Sequence, residues 1–213
     1  MDPATAVGAP LRVRSRTLLC AAAVAALLAS PALAADRYAL VVTGASGDRV
    51  YMQRFDAWRS AFVQVLADSL GYPADRVIVL TEHAGAGGRT ATATEVRSAL
   101  AAIAARAQPD DVVLVLLIGH GTVFEGDDAK FNLVGPDLSV EEWAALVRPI
   151  RARVVFVNGA ASSYPFLAAL AGRNRIVVTA TDTASQQYVT IFPDFFVRAF
   201  GDAAADTDKN GRV

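Results

Sequence analysis

The sequence predicts an α/β domain with a mostly parallel sheet and helices on both faces. Three observations carry that expectation. Residues 112–118 and 154–157 are nearly continuous apolar runs, the pattern of strands buried on both faces rather than one. Between such runs the apolar positions recur at helical spacing, and this alternation of strand and helix makes a parallel sheet. Finally, the runs end abruptly on small or polar residues: Gly119-His120-Gly121 after the first, and Asn158-Gly159-Ala160-Ala161-Ser162-Ser163 after the second. The carboxyl ends of parallel strands are where open α/β sheets hold their ligands.

The elements follow in order. Residues 38–43 are apolar and β-branched, a first strand that enters Gly44-Ala45-Ser46-Gly47. Phe55, Trp58, Phe62, Val65, Leu66 and Leu70 then repeat with helical period, and Gly71 is placed to end that helix. Residues 77–80 form a second short strand. Thr92 with Glu95 has the spacing of a capping box ahead of a helix over 96–107. Pro109-Asp110-Asp111 turns the chain into the third strand, which ends at Ile118. An irregular excursion through 124–132 follows. Ser139 with Glu142 then caps a helix carrying Trp143, Leu146 and Val147. The fourth strand is 153–157, with a short helix near 166–171. The fifth is 175–180, and a last helix occupies roughly 194–204.

Composition narrows the function. The chain has 213 residues, a net charge of −1 and 19% charged residues, so no basic excess favours nucleic acid. At the N-terminus, Arg12, Arg14 and Arg16 precede an apolar stretch over 18–28 that is too short to span a bilayer. Ser30-Pro31-Ala32-Leu33-Ala34 follows, with small residues placed for cleavage before Ala35. Basic, then apolar, then small is the layout of a secretory signal peptide over 1–34, which implies a secreted or periplasmic domain over 35–213. A lipid anchor on Cys20 does not fit, because Leu19 stands where a small residue is needed and the apolar region follows the cysteine. Cys20 is the chain's one cysteine, so residues 35–213 hold no disulfide and rely on core burial. No membrane-spanning segment is expected in them, and their net charge is −3.

The loop after the first strand has two glycines, but it is not a dinucleotide site. Val50 stands where the last glycine of such a loop would let helix and pyrophosphate meet. It reads as a tight turn at the rim of the sheet. His120 is more informative. Imidazole titrates near neutrality and serves as a base for an adjacent thiol or hydroxyl. Gly119 and Gly121 let the backbone turn sharply there and leave amide N–H groups open to an anionic intermediate.

An apolar strand ending on His-Gly, paired with a second ending on a polar residue, Ala and a nucleophile, resembles the legumain and caspase superfamily of cysteine peptidases. The bacterial legumain-like branch is the nearer, on residues 38–47, on Val134-Gly135-Pro136-Asp137-Leu138 and on residues 175–181. The resemblance runs across nearly all of 37–213 and implies a caspase-like three-layer fold, with His120 as base and Gly121 in the oxyanion turn. The same register puts Ala160 on the family's alanine and Ala161 on the nucleophilic cysteine, with Tyr164 on a glycine. Ser46 falls where legumains carry an asparagine that orients the histidine, and Met52 where an arginine helps shape the specificity pocket. A methyl group cannot attack a carbonyl. Ser162 and Ser163 lie one and two positions further on. Either is a candidate substitute nucleophile or a cap for the helix near Pro165.

The resemblance therefore implies an exported peptidase homologue that is catalytically inactive as written and binds peptide or a protein partner in a vestigial cleft. The alternative is an active hydrolase using His120 with Ser162 or Ser163, or with a native cysteine at position 161.

Residues 206–213 fit the first two-thirds of an EF-hand calcium loop. Asp206, Asp208 and Asn210 fall on the first three oxygen positions, Gly211 on the bend, and Arg212 on the main-chain carbonyl position. The chain stops before the bidentate Glu that completes such a loop, so no cofactor is required. Ca2+ is expected only if a longer chain supplies the rest.

Overall fold

The computed structural model describes residues 35–85, 88–124 and 128–210. The leader expected over 1–34 lies outside the described residues. So do Gly211, Arg212 and Val213.

Residues 35–213 form one compact unit around a six-stranded sheet. Its strands are β1 (Arg37–Thr43), β2 (Val77–Thr81), β3 (Arg89–Thr90), β4 (Val112–Ile118), β8 (Arg153–Asn158) and β9 (Arg175–Thr179). Three short strands lie between β4 and β8: β5 (Gly121–Val123), β6 (Ala129–Phe131) and β7 (Leu138–Ser139). The helices are α1 (Arg49–Asp68), α2 (Ala93–Arg106), α3 (Val140–Val147), α4 (Pro165–Leu170) and α5 (Phe192–Ala199).

The sheet order is β3-β2-β1-β4-β8-β9, and every pairing is parallel. Strand alternation sends Leu40, Val42, Val113, Val115, Leu117 and Phe156 to one face, where they pack with the buried sides of α2, α3 and α4. Ala39, Val41, Leu114 and Leu116 face the other way, onto Phe55, Phe62 and Leu66 of α1 and Val197 of α5. The protein is thus a three-layer α/β fold, as the sequence predicts. Each fully buried Phe or Leu of these layers contributes roughly 1.5–3 kcal/mol by leaving water.

The helix boundaries have local causes. Asp48 accepts the Tyr51 N–H at the start of α1, and Gly71, at φ +63°, takes the left-handed conformation just beyond its end. Ser139 and Glu142 close a full capping box on α3. Thr92 caps α2 by accepting the Glu95 N–H, but the Glu95 carboxylate turns to Arg89 at 2.6 Å, so that box is half-formed.

Two expectations are corrected. The irregular excursion after His120 is a small antiparallel sheet, β5-β6-β7, whose two- and three-residue strands are too short to show a period. The last helix is α5 at Phe192–Ala199, about one turn earlier than expected, because Pro193 in its first turn presets the entry.

Chain order determines where the strand ends open. From β1 the chain moves outward to β2 and β3, then crosses back to β4 and continues through β8 to β9. The reversal lies between β1 and β4, so their carboxyl ends flank the crevice at which doubly wound sheets bind ligands.

Candidate functional site

That crevice is bridged by His120. Its Nε2 lies 2.9 Å from the main-chain oxygen of Ser46, across the reversal from the β1 loop. A carbonyl oxygen only accepts, so Nε2 carries a proton, and in the neutral ring Nδ1 holds the lone pair. The ring is gripped edge-on by Tyr51 at 4.8 Å and Phe55 at 5.2 Å between centroids, both from α1. The orienting group is therefore backbone. Any side chain at position 46 leaves that carbonyl in place.

Gly121 brings the two predicted halves of the site together. A β-carbon on it would overlap the carbonyl oxygen of Ala161, so the loops after β4 and β8 touch there with no room for a side chain. Neither Gly119 nor Gly121 has a positive φ. The expected sharp turn is not why glycine is needed; close approach is. A β-carbon on Gly119 would come within 3.0 Å of the Phe131 ring. Gly159 is similarly confined, by Pro193 Cγ at 2.7 Å and Leu117 O at 3.1 Å from a β-carbon built on it. Ala160 and Ala161 are buried, and the Ala161 methyl occupies the position where the resemblance puts a thiol.

The two serines have opposite environments. The Ser163 hydroxyl oxygen accepts the N–H groups of Ala180 (3.0 Å) and Thr181 (3.1 Å) and lies 3.2 Å from Thr181 Oγ1. It ties the β8 loop to the end of β9, which leaves it no lone pair for catalysis. Ser162 has φ +49°, a left-handed conformation uncommon for a residue with a β-carbon. Its N–H donates to Gln186 O at 2.8 Å, while its hydroxyl is buried without a hydrogen-bond partner among the described residues. Neither hydroxyl caps the next helix, since α4 starts without a side-chain cap bond and with Pro165 in its first turn.

Sequence reasoning missed the segment over 179–192, which packs on this loop through the Gln186, Thr181 and Thr190 contacts, the last donating to Gly159 O. Two open cavities lie along it. One, of about 420 Å³, is lined by Tyr164, Leu167, Thr179 and Asp182. The other, of about 510 Å³, is lined by Tyr188, Val189, Ile191, Phe192 and Phe195. Ala180, Thr181 and Gln186 line both. Tyr188 is 91% exposed, Ile191 61% and Phe195 59%, a concentration of exposed large hydrophobic side chains. The signal in the sequence was a run of large apolar residues with no helical partner face to bury them.

Met52, on α1, is half-buried. A guanidinium does lie beside the histidine's aromatic clamp: Arg54, over the rings of Tyr51 (5.8 Å) and Trp58 (6.0 Å).

The calcium-loop residues form a turn in which the Asn210 N–H donates to Asp206 Oδ1 at 3.1 Å and to Asp208 Oδ1 at 3.3 Å. Arg212 is outside the described residues. Among the described residues no group of three His, Cys, Asp or Glu gathers to hold a metal ion. None of the described helices is long and apolar enough to cross a membrane.

The fold and site define a three-layer α/β protein with a histidine-bearing crevice at its strand ends. No protein-family model matches the chain, and no curated protein does. Among solved structures it is similar to protein GSU0716 from Geobacter sulfurreducens, at 19% identity and a TM-score of 0.45. That likeness covers 59% of this chain, and the chain spans about half (50%) of the length of that protein.

Proposed function

We propose that this protein is an exported, catalytically silent homologue of legumain-type cysteine peptidases that binds peptide segments of a partner at its strand-end rim. The observation that carries the reading is the contact of Gly121 with Ala161: base loop and nucleophile loop meet, and a methyl group stands where the attacking atom would be. His120 keeps a fixed tautomer with its Nδ1 lone pair uncommitted to Ser46. The base half of a dyad thus persists without a partner to activate. The exposed apolar residues over 188–195, beside that loop, supply the binding surface. Export rests on the basic, apolar and small-residue pattern of 1–34.

A second reading, hydrolysis through His120 and Ser162, is favoured by the left-handed backbone and unpartnered hydroxyl of Ser162. Against it, Ser162 is only 1% exposed, so a substrate carbonyl has no approach to that oxygen. Ser163 is removed from this reading by its three hydrogen-bond partners.

The test is incubation of the purified protein with a mixed-sequence peptide pool, followed both by mass spectrometry and by fluorescence anisotropy. Saturable binding with every peptide intact is the expected result. New peptide termini that depend on His120 would replace this reading with the second, and absence of any binding would remove both.

A further inference from the structure

Resting on that peptide-binding reading, we infer that the bound segment pairs a basic with an apolar side chain. A Lys or Arg seats against Asp182 in the 420 Å³ cavity, and an aromatic or branched aliphatic residue of the same segment lies in the 510 Å³ groove.

The two cavities share Ala180, Thr181 and Gln186, so they adjoin, and one extended segment laid over these residues reaches both. Their linings differ in kind. Asp182 is the one carboxylate in the first cavity, whose lining otherwise consists of neutral side chains. Among the described residues its carboxylate has no ion-pair partner, and its backbone N–H is held by Gln186 Oε1 at 3.1 Å, which fixes the residue at the cavity wall. A segment that covers Asp182 with a neutral side chain strips water from a charge and returns nothing, and an acidic one adds repulsion. A cation compensates it. The second groove has no formal charge in its lining, and its surface is dominated by Tyr188, Ile191 and Phe195. The Arg198 guanidinium, over the Phe195 ring, has its charge offset by Asp194.

The experiment is a positional peptide array probed with the intact purified protein, in which each position is varied among Lys/Arg, Asp/Glu, Leu/Phe and Ser. Peptides that combine a basic and a large apolar residue should be enriched. Asp182→Asn should cut the advantage of the basic residue by about fivefold, the scale of one partly exposed ion pair. Asp182→Lys should reverse it in favour of Asp/Glu, and Ile191→Ser should weaken the apolar preference alone. Circular dichroism confirms that each variant is folded. Peptide binding with no basic preference, or with one that Asp182→Asn leaves unchanged, overturns this inference and leaves the peptide-binding reading standing. If the folded wild-type protein binds no peptide at all, the reading fails and the inference with it.

Discussion

The Nε2 atom of His120 sits 2.9 Å from the main-chain oxygen of Ser46, across the crevice between β1 and β4. This single bond selects a tautomer, because the carbonyl can only accept. It also orients the ring through a backbone atom, with Tyr51 and Phe55 holding its edges. The base is thus built by backbone and packing, which tolerate a change of side chain at position 46.

Restoring a thiol beside this base should activate it. In Ala161→Cys the new sulfur is carried by the loop that touches Gly121, next in the chain to His120, and a nearby imidazole favours the thiolate. The ultraviolet absorbance of the thiolate should appear at a lower pH in Ala161→Cys than in the same variant carrying His120→Ala, a readout that needs no reagent to reach the buried position. A thiolate titration indifferent to His120 would place the ring and the thiol out of reach of one another.

Gly121→Ala should be strongly destabilising, since its methyl has to displace the Ala161 carbonyl and neither is on a flexible side chain. Overpacking of this kind costs about 1–3 kcal/mol. Gly172→Ala, whose β-carbon would meet nothing nearer than Arg175 Cγ at 3.7 Å, should stay within about 0.5 kcal/mol of wild type. Urea melts of the two variants make the comparison.

Ser162→Ala and Ser163→Ala should separate just as clearly. Removing the Ser163 oxygen leaves the buried Thr181 N–H without that acceptor, while the Ala180 N–H keeps the Asn158 carbonyl, at a cost of about 1–3 kcal/mol. Removing the Ser162 hydroxyl takes away a buried group that has no partner among the described residues and should be neutral or slightly stabilising. Equal effects in chemical denaturation would mean that the two hydroxyls are not in these different environments.

Glu142 gives a pH-dependent contribution. The Ser139 backbone N–H, followed by the Arg97 guanidinium, holds its carboxyl below the usual range, while partial desolvation opposes them. A depressed carboxylate pKa means that the folded state prefers the ionised form. Its stabilisation is complete above the unfolded value of about 4.3 and is lost as pH falls through the lower folded value. Glu142→Gln should lower stability at pH 7 by up to about 1 kcal/mol, kept small by solvent screening. The gap should narrow progressively as the pH of the melts is lowered through the depressed folded value.

How much of this was legible in the sequence depended on the length of each signal. β4 and β8 are buried on both faces, so their apolar runs stood out, and Phe55, Phe62 and Leu66 marked α1 by period alone. The meeting of Gly121 with Ala161 was anticipated only through the resemblance. No residue pattern says that two loops forty residues apart exclude a β-carbon between them. The Ser163 bonds to β9 and the Ser46 carbonyl were illegible for a related reason. The first depends on chain segments brought together only by folding, and the second on a backbone atom that every residue possesses. The 179–192 segment was passed over because its apolar residues serve a surface instead of a core, and periodicity measures only the latter.

The most direct measurement of the central claim, a site with its base in place and its nucleophile missing, is labelling of the wild-type protein by a serine-reactive fluorophosphonate and by an acyloxymethyl ketone, read by intact mass. No mass shift is expected from either, because Ala161 offers no nucleophile, Ser163 is fully engaged and Ser162 is enclosed. Stoichiometric adduct formation on Ser162 or Ser163 that disappears in His120→Ala would contradict it and make the protein an active hydrolase.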